Sequence, residues 1–197
     1  MKDMSINQYA LDQNIVNIFG EINNVMAESV ISQLQYLDAR FEKNNVPVED
    51  RIITIQINSP GGSVPDGFAI YDTMNYISAQ IETVGIGMVA SMAAFLLSSG
   101  TNGMRRATEN CEILIHQPLG GVQGQASDIM IAANHIARTR DRINRILADN
   151  TGKDIEEIKR DTDRDNIMLA NEALEYGLID VVIPSLNKAK RRERKWI

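Results

Sequence analysis

Ile52-Ile53-Thr54-Ile55-Gln56-Ile57 is a run rich in β-branched residues that ends abruptly at Asn58-Ser59-Pro60-Gly61-Gly62. Such side chains favour a strand, and asparagine, proline and paired glycines terminate one at once. Beyond the glycines the period changes, with Phe68, Ile70, Tyr71 and Met74 at helical spacing. Upstream, Ile15–Phe19 reads as a short strand, and Val30, Ile31, Leu34 and Leu37 mark a helix within Val25 to Phe41. Thr83-Val84-Gly85-Ile86 reads as the next strand. Strands alternating with helices call for parallel pairing, with helices on the sheet face. The expected fold class is therefore α/β. No repeat, low-complexity tract or long linker divides the 197 residues, so one domain spanning 1–197 is expected. Hydrophobic residues at 44% and charged residues at 23% suffice for a single core at that length.

One segment departs from this rhythm. From Ala126 to Asp149, apolar residues recur at Ala126, Ile129, Met130, Ala133, Ile136, Ala137, Ile143, Ile146 and Leu147. A helix of that length runs about 36 Å, longer than most in a domain of this size. A chain this short has little core left to cover both sides of it, so assembly is expected rather than burial within one subunit. Gly120, Gly121 and Gly124 precede the helix, too many for a stable isolated strand. His135 sits among charged neighbours and is expected at the surface or an interface.

Charge is unevenly placed. The segment from Lys188 to Ile197 carries +5, against −11 for the rest of a chain whose total is −6. A basic tail can bind nucleic acid or anionic lipid, but a frayed solvated terminus is the plainer expectation. An acidic body gives no reason to expect nucleic acid as the main partner. No run approaches the roughly 18 apolar residues of a membrane helix, and Met1-Lys2-Asp3-Met4-Ser5 lacks a signal peptide's apolar stretch. A soluble cytoplasmic protein is expected. The lone Cys111 allows no intramolecular disulfide and reads as a small core residue on a strand rather than a thiol nucleophile. No G-x-x-x-x-G-K-[ST] motif binds ATP here, and neither metal nor cofactor is expected.

Three distant stretches carry chemistry. The glycine turn Asn58–Ser63 ends a strand, and Ser91 opens the apolar segment Met92-Ala93-Ala94-Phe95-Leu96-Leu97 behind a Gly- and Ala-rich turn. The third part is split between His116, at the end of another apolar strand before Gln117-Pro118, and the acidic segment Asp161-Thr162-Asp163-Arg164-Asp165. A serine hydroxyl needs a base to take its proton and a third group to orient that base. Ser91, His116 and one of Asp161, Asp163 and Asp165 can fill these roles. Taken alone, Ser91 reads more readily as an N-cap, and His116 could be a satisfied core histidine. As a nucleophile at a helix start, Ser91 lies beside free N–H groups that favour developing negative charge. The N–H groups of Met92 and Gly62 are the candidate oxyanion donors, glycine allowing close backbone approach. The order Ser…His…Asp differs from that of chymotrypsin, subtilisin and the α/β-hydrolases, and Val89-Ala90-Ser91-Met92-Ala93 is not G-x-S-x-G.

From about Asn14 to Val182 the chain resembles the proteolytic subunits of the bacterial Clp protease. The resemblance rests on Asn58-Ser59-Pro60-Gly61-Gly62-Ser63-Val64, Ala90-Ser91-Met92, His116-Gln117-Pro118-Leu119-Gly120-Gly121 and Asp161-Thr162-Asp163-Arg164-Asp165, with Glu175-Tyr176-Gly177-Leu178-Ile179-Asp180 behind them. It implies a spiral of β-β-α units, shared with crotonases, bearing a projecting strand-helix handle at about 117–150. It implies Asp165 as the third triad member, and Asp163 with Arg164 as a pair linking subunits across a ring interface. It further implies two stacked seven-membered rings that enclose the sites, fed by an ATP-dependent Clp unfoldase. Peptide would bind by β-augmentation, clamped between the backbone of Gly61, Gly62, Ser63 and Val64 and the strand from His116 through Leu119 to Gly120. Main-chain recognition of this kind would tolerate many sequences.

Departures from the family pattern bear on these expectations. About a dozen residues precede the first strand where relatives have a longer pore-lining segment, and Gln56 stands where an aromatic residue shapes the unfoldase-docking pocket. Both bear on pairing with a standard unfoldase. Ala93 for glycine and Val89 for alanine are small changes. Two other classes fit less well. A non-catalytic ring subunit would be expected to lack a triad member, and a crotonase-type acyl-CoA enzyme has no need of Ser91, His116 and Asp165 together.

Overall fold

The computed structural model describes residues 6–118, 121 and 123–185. The basic tail and Leu119, both singled out by the sequence, lie outside these residues. In chain order the elements are α1 (Ile6–Asp12), β1 (Ile15–Phe19), α2 (Asn24–Lys43), β2 (Ile52–Ser59), α3 (Val64–Tyr76), β3 (Gln80–Ala90) and α4 (Met92–Ser98). Then come β4 (Arg105–Thr108), β5 (Glu112–Ile115), α5 (Ala126–Thr151), α6 (Ile155–Asp161), β6 (Asn166–Leu169), α7 (Ala170–Tyr176) and β7 (Val181–Ile183). The mixed α/β class expected from the alternating pattern is what the chain adopts. Among the described residues, no helix is long and apolar enough to cross a membrane.

Strands β1, β2, β3, β4 and β7 lie parallel in that order. β3 is longer than the Thr83–Ile86 core read from sequence, and it serves two further partners. Its middle, Thr83–Gly85, pairs with β4, while its end, Met88–Ala90, pairs with β5. β6 then runs antiparallel to β5. The switch of partner has a local cause. Against β2 the register moves from Ile57↔Gly85 to Ser59↔Val89, leaving two extra residues on β3. A bulge of this kind bends and re-aims a strand. Gly87 adopts φ +70°, and the Met88 N–H donates to Asn58 Oδ1 at 3.4 Å. The end of β3 thereby swings toward β5 and carries Ser91 with it.

The core lies on one face of the sheet. Val16, Ile18, Ile53, Ile55 and Ile57 point into it and meet Ala27, Val30, Leu34, Leu37 and Phe41 of α2 and Ile70 and Met74 of α3. Each of these side chains larger than alanine contributes about 1.5–3 kcal/mol when buried. α4 is buried along its whole length, which its run of seven small and apolar residues permits. The opposite face of β1–β4 presents Asn17, Thr54, Gln56, Glu82 and Arg106. Thr54 donates to Glu82 at 2.8 Å, and Arg106 Nε lies 2.9 Å from the same carboxylate. Parallel sheets are usually covered on both faces. This one keeps a polar face.

Arg105 ties the late elements together from a buried position. Its guanidinium pairs with Asp180 at 2.5 and 2.9 Å and donates to the carbonyls of Asn150 at 2.6 Å and Ser98 at 3.4 Å. Asp180 also accepts from the backbone N–H groups of Gly103 and Arg105. Burial alone would raise the Asp180 pKa, but the Arg105 and Gly103 contacts override it and hold the carboxyl below its usual value.

α5 spans 26 residues, about 39 Å. Its only buried side chains, Ile143, Asn144 and Leu147, lie toward its C-terminal end. The other half is exposed, with Ile129, Met130 and Ile131 turned to solvent. Among the described residues, no strand lies between β5 and α5.

Candidate active site

Ser91 stands between β3 and α4 with φ +58° and ψ −123°. A non-glycine residue held there stores roughly 1–3 kcal/mol of strain. Its surroundings enforce the conformation: the Ser91 N–H donates to Leu114 O at 2.8 Å, and its carbonyl accepts from Phe95 at 3.1 Å. β3 runs right up to Ala90, so the expected glycine- and alanine-rich turn is strand instead, and the turn is made at Ser91 itself. Ser91 occupies the N-cap position of α4, but its side chain makes no capping bond. The hydroxyl faces His116, with Oγ 2.8 Å from Nε2.

His116 directly succeeds the last residue of β5. Its Nδ1 lies 3.1 Å from Asp165 Oδ1. A carboxylate only accepts, so Nδ1 carries the proton toward Asp165, and Nε2 is left to accept from the serine hydroxyl. The three aspartates separate by geometry. Asp161 accepts a hydrogen bond from the Tyr176 hydroxyl at 3.0 Å. Burial and this carboxylate push the Tyr176 pKa well up. Asp163 accepts from the Gln117 side chain through its carbonyl at 2.9 Å, and its carboxylate lies 3.8 Å from exposed Arg164. Only Asp165 reaches the histidine.

The glycine turn lies directly against the serine. A methyl group added to Gly61 would sit 2.8 Å from Ser91 Cβ and 3.0 Å from the Met92 nitrogen. Gly61 has φ +90° and Gly62 φ +147°, and a Cβ on Gly62 would fall 2.2 Å from Ile22 O. No other residue fits either place. The turn is pinned by Ile22 N–H to Gly61 O and Ser63 N–H to Ile22 O, each 2.8 Å. Buried Ser59 adds its hydroxyl as acceptor for the Gly61 N–H at 3.0 Å. Gly61 brings the turn that holds Gly62 up against the nitrogen of Met92, the first residue of α4, whose N–H has no intrahelical acceptor.

Substrate-binding expectations fare less evenly. The Ser63 N–H is already committed to Ile22, its side chain caps α3, and Val64 opens that helix. The Ser63 N–H is therefore not available to a substrate strand, and the extended stretch ends where α3 begins at Val64. Val64 instead lends its side chain to a crevice that it shares with Ser91, Met92, His116 and Pro118. Leu119 falls outside the described residues. Cys111 is buried just ahead of β5, and burial, with Glu112 beside it, raises its pKa to about 11. A thiol so protonated is no nucleophile at neutral pH.

Sequence reasoning missed the residues that hold this arrangement. The Gln117 backbone N–H donates to Thr162 O at 2.6 Å, and its side chain clamps Asp163, so it ties the end of β5 to the turn that carries Asp165. Buried Thr162 is anchored in turn to Asn144 of α5 and to Ile158 of α6. The adjacency of Gln117 to His116 was the available signal. Ser59 could have been found as a serine beside a glycine turn.

The chain matches the family model described as Clp protease over residues 1–185. The chain belongs to the Clp protease family. It is 51% identical over 180 residues to the ATP-dependent Clp protease proteolytic subunit of Ligilactobacillus salivarius (strain UCC118), covering 91% of this chain and 88% of that one. All the family motifs quoted from the sequence fall within the matched region, and the parallel sheet with its forked third strand is the Clp protease scaffold as this chain builds it.

Proposed function

We propose that this protein is a serine endopeptidase, the proteolytic subunit of a Clp-type protease. The continuous relay from Ser91 Oγ through His116 to Asp165, at 2.8 and 3.1 Å, carries the reading. Ser91 attacks the peptide carbonyl while His116 Nε2 takes its proton, and His116 later returns that proton to the leaving amine. Asp165 fixes the tautomer and stabilises the imidazolium. The N–H groups of Gly62 and Met92 receive the oxyanion in a site that needs no reorganisation. The family assignment favours this reading over a non-catalytic ring subunit or an acyl-CoA enzyme.

The family assignment supports self-assembly, with two stacked heptameric rings as the specific arrangement, and supply of unfolded protein by a Clp ATPase. The exposed apolar half of α5 suits a handle that meets a second ring, and exposed Asp163 and Arg164, loosely paired, suit a contact between neighbours in one ring. Intact mass after fluorophosphonate treatment tests the chemistry. Wild type should gain one adduct and Ser91→Ala none, with peptide cleavage by Ser91→Ala lost from routine assay. Normal cleavage by Ser91→Ala would end the proposal.

A further inference from the structure

A cleft of about 490 Å³ opens beside the catalytic crevice, between the first turns of α3 and the middle of α5. Val64 and Pro118 line both spaces, so the two are immediate neighbours. The crevice at Ser91 offers only about 20 Å³, the room of one or two waters. The cleft is the size of a ligand pocket. A substrate side chain next to the scissile bond therefore finds its volume in the cleft.

The two sides of this cleft differ in chemistry. Pro65 and Phe68 of α3 give it an apolar wall, and Arg138 and Arg142, with His135, stand on the α5 side. The Arg142 guanidinium lies 4.1 Å from the centroid of the Phe68 ring, a contact that holds the cation at the aromatic wall. Its ion pair with Asp72 is long, at 3.8 Å, and both partners are more than half exposed, so it neutralises little. Arg138 makes neither ion pair nor hydrogen bond among the described residues. Two permanent positive charges thus face an apolar space that adjoins the nucleophile.

We infer that this cleft is a substrate subsite for an acidic side chain, glutamate above all. The methylenes of glutamate can lie on Phe68 and Pro65 while its carboxylate meets Arg138 and Arg142. The inference rests on the peptidase reading and adds to it a charge preference that main-chain recognition would not produce.

The test uses fluorogenic peptides in which Glu, Gln or Lys is walked through the three positions on each side of the cleaved bond. The full-length wild type, Arg138→Glu and Arg142→Gln are compared by kcat/KM. At one position Glu should exceed Lys by about three- to tenfold, chiefly through KM, as expected for charges in a partly solvated cleft. Arg138→Glu should abolish or invert that preference at that position alone, and Arg142→Gln should reduce it. Equal rates at every position, or a preference unchanged in both variants, would overturn the subsite while leaving the peptidase reading intact. A wild type that cleaves none of the peptides and takes no fluorophosphonate would bring down both.

Discussion

Asp161, Asp163 and Asp165 lie within five residues of one another, yet they do three different jobs. Asp165 faces His116, Asp163 is held by Gln117, and Asp161 anchors the Tyr176 hydroxyl. Asp165→Asn should therefore lower kcat by about 10⁴, the loss typical when an orienting carboxylate becomes an amide. Asp161→Asn should stay within about twofold of wild type. Steady-state peptide hydrolysis checks both, and the reverse pattern would transfer the orienting role to Asp161. Ser91 and His116 stood out in the sequence by their residue types and flanks, and the structure brings them within hydrogen-bond reach of each other. The spacing alone left the aspartate open, since a turn of alternating acids has no period that says which one points inward. The positive φ of Ser91 was likewise hidden, because serine carries no left-handed preference and the conformation is imposed by its bonds to Leu114 and Phe95.

At the level of elements, the site depends on strands and helices being tied at their ends. β5 delivers His116, the turn after α6 delivers Asp165, and Gln117 fastens one to the other. Gln117→Ala removes the side-chain clamp but keeps the backbone bond to Thr162 O. We expect kcat to fall about tenfold, since small displacements of catalytic groups are costly. Stability should change by no more than about 1 kcal/mol. Rates together with urea unfolding would check this, and an unchanged kcat would show that the clamp is dispensable. Strand and helix existence could be read from periodicity, and β1 was delimited correctly at Ile15–Phe19. The fork of β3 could not. Its cause is a mismatch of register between Ile57 and Ser59 and their partners, a relation between strands that leaves no mark within either. The antiparallel β6 escaped notice for a similar reason: four residues, Asn166–Leu169, are too short for alternation to declare itself.

For the whole molecule, the Arg105–Asp180 pair joins the edge of the sheet to the ends of α4 and α5. The folded-state pKa of Asp180 is depressed, so its contribution to stability is complete above the ordinary carboxylate range and is lost as pH falls through the folded value. Asp180→Asn leaves buried Arg105 without its counter-charge, and should cost about 3–5 kcal/mol at pH 7. The gap between wild type and variant should narrow below about pH 4, where Asp180 of the unfolded chain begins to take up a proton that the folded carboxylate, held lower, does not. Urea unfolding at pH 7 and pH 3 measures it, and a gap that did not change with pH would assign the loss to packing. The α/β class and the long exposed helix were legible from the chain. The polar second face of the sheet was not, because Thr54 and Gln56 among isoleucines look like ordinary alternation until Glu82 and Arg106 are brought beside them. The linear order of the site has its own consequence. Synthesis releases the glycine turn and Ser91 first, then His116, and only much later Asp165 and then Asp180, the partner of Arg105, just ahead of β7. On the proposed reading, a chain still emerging from the ribosome holds a serine whose base has no orienting group. Hydrolytic competence thus waits for the turn that carries Asp165, which spares the nascent chain and its neighbours from premature cutting.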